Sequence, residues 1–120
     1  MKIRHHIFAV AASAILATGA YAADIKLGVS GPFTGGSSSM GVSMRDGVRL
    51  AAKEINAAGG INGRKINLIY EDEEANPAVA TQKAEKLFQV EKVDFLTGTV
   101  NSGSTLAVGQ PVFLLMEKNI

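Results

Sequence analysis

Apolar and polar residues alternate over Ile25–Ser30 (IKLGVS) and the run ends in glycine-rich sequence, a pattern that predicts a strand. Gly31–Gly41 (GPFTGGSSSMG) contains four Gly, one Pro and three consecutive Ser, the composition of a loop. From Val42 to Ala58 the period becomes helical. Met44, Val48, Ala51, Ala52, Ile55 and Ala58 share one face, and Arg45, Asp46, Arg49, Lys53 and Glu54 occupy the other. Gly59-Gly60 supplies a left-handed helix stop. Asn62-Gly63 predicts a tight turn leading from helix into strand. A β-hairpin is the less favoured reading, because the segment before it is too short for a strand.

Lys65–Tyr70 (KINLIY) predicts the second strand, and Glu71–Ala75 an acidic connection. Asn76-Pro77 places an N-cap residue before a proline at the first helical position. The helix that follows is expected to run to about Val90, with Ala80, Ala84, Leu87 and Val90 or Glu91 on one stripe. Val93–Leu96 predicts a third strand, Thr97–Ser102 a second polar loop, and Gly103–Lys118 a third helix. Pro111 falls inside that helix, where it removes a backbone donor. A proline kink, or a frame or splice change near the apolar run Val112–Met116, would account for it.

Strands alternating with helices imply right-handed crossovers and an α/β fold with a doubly wound parallel sheet, here of three βα units. In the commonest orders of such sheets the first strand lies between the second and third. The winding then reverses beside it and opens a crevice at the carboxyl ends of the first and third strands. Gly31–Gly41 and Thr97–Ser104 should form its two walls.

The first twenty-two residues carry a different signal. Lys2 and Arg4 form a basic start, Ile7–Ala17 is apolar or small throughout, and Ala20-Tyr21-Ala22 has a small-x-small exit. The order is that of a secretory signal peptide cleaved after Ala22, and the apolar run is shorter than the ~20 residues that span a bilayer. A buried N-terminal helix or a membrane anchor is the rival reading. Residues 1–22 are therefore expected to be a signal peptide, and residues 23–120 an exported, periplasmic domain.

Composition narrows the chemistry. The whole chain is +1, but the segment after Ala22 has ten basic and eleven acidic residues, a net −1. Its basic residues are scattered and Tyr70 is its one tyrosine, so nothing suggests nucleic-acid binding. The chain has no Cys, and both histidines, His5 and His6, lie in the leader. Thiol and Ser-His catalysis and most transition-metal sites fall away, so neither an enzyme nor a cofactor or metal is expected.

Asn101-Ser102-Gly103-Ser104-Thr105 lies at a strand-to-helix junction. Unpaired N–H groups and a partial positive charge gather at a helix N-terminus, and neighbouring hydroxyls add donors, which suits a carboxylate or phosphate. Ordinary N-capping explains the same residues. The first loop matches neither G-x-G-x-x-G nor the P-loop. Gly98 precedes Ser102 by four residues, against the two of a nucleophile elbow. Glu71-Asp72-Glu73-Glu74 reads as a solvated loop preceding a helix, or as a Ca²⁺ site or a general acid/base pair built on Glu71 and Asp72.

IKLGVSGPFTGG (25–36), MGVSMRDGVRLAAKEINAAGGINGRKI (40–66), YEDE (70–73), NP (76–77) and TVNSGST (99–105) together resemble the periplasmic leucine/branched-chain amino-acid-binding proteins, the solute-binding components of ABC importers. The resemblance implies two doubly wound lobes closing over one small ligand, with residues 23–120 forming part of the N-terminal lobe. It implies that Ser102 holds the ligand α-carboxylate through its hydroxyl, with Gly103, Ser104 or Thr105 adding N–H or hydroxyl contacts. Met40 falls where the family often has a pocket-lining residue such as tyrosine. An amino-acid ligand, an inner-membrane ABC permease as partner and a monomeric state are what the resemblance implies. A sensor or regulator of the same fold, and a truncated product without independent activity, are the alternatives.

Overall fold

The computed structural model describes residues 22–118. The expected signal peptide lies outside them except for Ala22. Three strands and three helices alternate: β1 (Ile25–Gly31), α1 (Ser38–Ala57), β2 (Ile66–Asp72), α2 (Pro77–Gln89), β3 (Phe95–Gly98) and α3 (Ser102–Glu117). The strands form one parallel sheet in the order β2-β1-β3, so the winding reverses beside β1 as the alternation of elements predicts.

Parity along the strands sends alternate side chains to opposite faces. Ile69 and Leu96 face α2 and α3, where Leu87, Phe88 and Val93 form one buried cluster and Ala80, Ala84 and Val108 another. Burying these side chains, at roughly 1.5–3 kcal/mol for each large one, holds this layer to the sheet. Of the expected α2 stripe, Ala80, Ala84 and Leu87 are buried, but Val90 is exposed and Phe88 takes its place in the core. The α1 face is thinner. Ala52 is buried, whereas Leu50 and Ile55 are exposed. A groove of about 640 Å³ lies between α1 and β2, lined by Arg49, Leu50, Lys53, Ile66, Leu68 and Tyr70 among others.

Several local signals act as read. Asn76 caps α2, its Oδ1 accepting from the amides of Ala78 and Val79 at 2.9 and 3.3 Å, and Pro77 opens the helix. The α1 terminus closes with Gly59 N–H on the Asn56 carbonyl and Gly60 N–H on the Ile55 carbonyl. Both glycines have positive φ, which completes a Schellman stop. Asn62-Gly63 is a turn with positive φ at both positions, closed by paired bonds between Ile61 and Arg64.

Boundaries shift where long-range contacts override local preference. The α1 helix begins at Ser38 rather than Val42, because Gly41 packs on the Pro32 carbonyl; a Cβ there would lie 2.0 Å from that oxygen. Strand β2 continues through Glu71 and Asp72 because Ser30 and Gly31 of β1 pair with them. Strand β3 starts two residues after Val93, which is buried in the α2 layer. Helix α3 runs through Pro111. Its Leu106, Phe113, Leu114 and Met116 are exposed, as is Phe95 on β3. Among the described residues, no helix is long and apolar enough to cross a membrane.

Candidate functional site

The two loops named by the topology leave hydrogen-bonded strand ends. Ser30 of β1 pairs with Gly98 of β3, and the Thr99 amide donates to the Ser30 carbonyl at 2.8 Å. Gly98 is compulsory here. Its φ is +126°, and a Cβ would lie 1.8 Å from the Ser30 oxygen. The β3–α3 loop can therefore turn only while pressed against the end of β1.

The first loop is tied down from β2. The Asp72 carboxylate accepts from the Phe33 amide at 2.8 Å, the Thr34 amide at 3.4 Å, the Thr34 hydroxyl at 2.6 Å and the Glu74 amide at 3.1 Å. Burial alone would raise its pKa, but these donors outweigh burial and hold the carboxyl below its ordinary range. Phe33 meets Tyr70 edge to face at 6.1 Å, and the Arg45 guanidinium lies 5.9 Å from the Phe33 ring centre.

The acidic run therefore divides its work. Glu71 is buried and paired with Lys83 Nζ at 2.9 Å and with Lys86 Nζ. Burial opposes its ionisation, yet the two lysines hold its pKa below the usual value. Asp72 binds the first loop. Glu73 is fully buried, and its Oε2 accepts from the Ser104 hydroxyl at 2.7 Å. Glu74 is exposed with φ +54°. Among the described residues no group of three or more His, Cys, Asp or Glu could hold a metal ion.

The second wall is the first turn of α3. Asn101 is its N-cap, with Oδ1 accepting from the Ser104 amide at 2.8 Å and its carbonyl from the Thr105 amide at 3.1 Å. That leaves the amides of Ser102 and Gly103, with that of the N-cap Asn101 itself, as orphan donors of the helix end, without a partner among the described residues. Both residues are exposed. Ser104 is buried with its hydroxyl turned inward to Glu73. Thr105 is exposed; its hydroxyl donates to the Asn101 carbonyl at 2.9 Å and lies 2.8 Å from the Thr99 hydroxyl. Met40 lies in the first turns of α1 and is 54% exposed.

The structure thus sets Ser102, Gly103 and Thr105 on the exposed side of one helix end and Ser104 beneath them. Thr99, with φ +59°, joins this group although its loop position alone does not single it out. Nor does the sequence mark Glu73 apart from its acidic neighbours. The α1–β2 groove contains no residue of either loop.

The three βα units form a parallel sheet that reverses beside β1, with the first turn of α3 at that switch point: an incomplete doubly wound lobe. Comparison with known proteins narrows this class of fold. The family model described as periplasmic binding protein matches residues 24–120, and the chain belongs to that family, whose members are non-catalytic solute-binding proteins. It is 38% identical over 108 residues to an amino acid binding protein of Pseudomonas aeruginosa, covering 89% of this chain and 29% of that one. Among solved structures it is similar to the branched-chain amino acid transporter substrate binding protein LivJ of Streptococcus pneumoniae in complex with isoleucine. That match has a TM-score of 0.75 and 32% identity, covering 77% of this chain and 26% of the other. A solute binding protein of an ABC transporter from R. palustris in complex with benzoate matches with a TM-score of 0.67 and 33% identity, covering 73% and 24%. The chain spans about a quarter of the length of these proteins.

Proposed function

We propose that this chain supplies the carboxylate-binding wall of an exported solute-binding protein, which captures an amino acid, branched-chain or similar, in the periplasm for an ABC permease. Residues 1–22 act in this reading as the cleaved export signal. The amides of Ser102 and Gly103 carry the proposal: they are donors left over at the α3 N-terminus, at the switch point of the sheet. The Ser102 hydroxyl adds a further donor, and Thr105 lies on the same turn. Ser104 supports them from below, and Met40 lines the ligand side-chain region from the first wall.

The two ligands named with the similar structures, isoleucine and benzoate, have a carboxylate on an apolar body in common. That shared feature fits an anion grip on one wall and leaves selectivity to the rest of the pocket. The test is a nuclear magnetic resonance titration of the ¹⁵N-labelled chain with L-isoleucine, benzoate and L-isoleucinamide. The Ser102 and Gly103 amide resonances should move with the two carboxylates and stay with the amide. Equal responses to all three, or none at these positions, would remove the proposal.

A further inference from the structure

We infer that Glu73 is a positioning residue for the carboxylate site, acting through Ser104 to hold the first turn of α3 at the angle that aims the Ser102 and Gly103 amides outward. This rests on the reading of those amides as the ligand grip. Three observations lead to it.

The Glu73 backbone is fixed on both sides. Its amide donates to the Gly31 carbonyl at 3.0 Å, and its carbonyl accepts from the Asn76 amide at 2.8 Å. It is thereby tied to the end of β1, where the first loop begins, and to the N-cap of α2. Its carboxylate then reaches Ser104 across 31 positions of sequence, at 2.7 Å, with both residues fully buried. Ser104 is held twice: its amide binds Asn101 of its own loop, and its hydroxyl binds Glu73 of a neighbouring one. The α3 end is also seated on α2, since a Cβ on Gly103 would lie 3.3 Å from the Pro77 ring. One residue thus couples the end of β1 and the start of α2 through its backbone and the start of α3 through its side chain.

Glu73 is a poor choice for stability alone. Among the described residues its Oε1 is buried without a hydrogen-bond partner, as is the Ser30 Oγ of β1. A buried carboxylate satisfied at one oxygen carries a desolvation cost, and replacing it together with its partner by apolar groups of similar volume is often neutral or stabilising. A group that costs stability and holds a binding turn in place fits the pattern of strain retained at functional sites.

Glu73→Met tests the assignment. It keeps the volume and removes the acceptor. Its thermal midpoint should stay close to that of the parent chain, loss of the half-satisfied carboxylate offsetting the Ser104 hydroxyl left without an acceptor, while the L-isoleucine dissociation constant, read from the Ser102 and Gly103 resonances, rises about tenfold or more. Glu73→Gln retains an acceptor for Ser104 and should stay within about threefold of the parent. If Glu73→Met does not fold, Ser104→Ala removes the same bond from the other end and should show the same loss, with Glu73→Gln still near the parent. A Glu73→Met chain, or where that is unfolded a Ser104→Ala chain, that titrates like the parent overturns the inference. Should the parent itself show no response at Ser102 and Gly103, the ligand reading has failed. The amide shifts and exchange rates of those two residues in the unliganded variants then decide the positioning role: changed supports it, unchanged overturns it.

Discussion

The Thr81 hydroxyl on α2 shares its proton between the Pro77 carbonyl of its own helix, at 3.1 Å, and the Ala107 carbonyl on α3, at 3.3 Å. Ala107 is the residue whose helical donor Pro111 removes. A proline that reads as an interruption is thus accommodated by a threonine one helix away. Thr81→Val is expected to destabilise the chain by about 0.5–1.5 kcal/mol. In a Pro111→Ala background, where Ala107 regains its donor, the same change should cost less. Equal losses in both backgrounds, measured by chemical denaturation, would refute the compensation.

Asp72 and Glu71 give stability a defined acid limit. Both folded-state pKa values lie below the ordinary ones, so the folded chain holds fewer protons than the unfolded chain as pH falls. Their contribution is complete above the unfolded values, ~3.9 for Asp and ~4.3 for Glu, and is lost as pH drops through the lower folded values. Stability should therefore be level for these groups from neutral pH to about 5 and fall below about 4. Asp72→Asn should lessen that fall and loosen the Phe33–Thr34 turn. A denaturation series from pH 7 to 3 with the same slope in parent and variant would contradict this.

Gly98 cannot be exchanged for a residue with a Cβ. Its φ of +126° and the 1.8 Å approach to the Ser30 oxygen combine backbone strain with a clash against a paired strand. Gly98→Ala should destabilise by about 2–4 kcal/mol. A thermal midpoint within about 2 °C of the parent would show that the loop can turn elsewhere.

Ser102 is exposed, so Ser102→Ala should leave the thermal midpoint in place. Carboxylate ligands should weaken by about 0.5–1.5 kcal/mol, read as a rise in the titrated dissociation constant. Unchanged affinity would move the contact off this hydroxyl.

Exposure also sets the strength expected of residues 23–120 studied alone. Ser102 and Gly103 face solvent, where water competes for each donor and a net hydrogen bond contributes only ~0.5–1.5 kcal/mol. Binding of L-isoleucine or benzoate should be millimolar or weaker. Micromolar binding in a calorimeter would show that this wall suffices.

Much of the molecule was legible in the chain itself. Strand and helix periods alternate over 25–118, Asn76-Pro77 and Gly59-Gly60 mark helix ends, and that alternation implies a parallel sheet with its reversal beside β1. These are local signals: a dihedral preference or a spacing of apolar residues acts within a few positions. What the tertiary structure alone decided is which polar groups remain available. Four adjacent acidic residues look alike in sequence, yet strand parity and packing send Glu71 to two lysines, Asp72 to the first loop and Glu73 to Ser104. Ser102 and Ser104, two residues apart, end on opposite sides of one helix turn, the first in solvent and the second buried. Such assignments depend on partners 12–39 positions away, and only the folded chain brings those partners within reach.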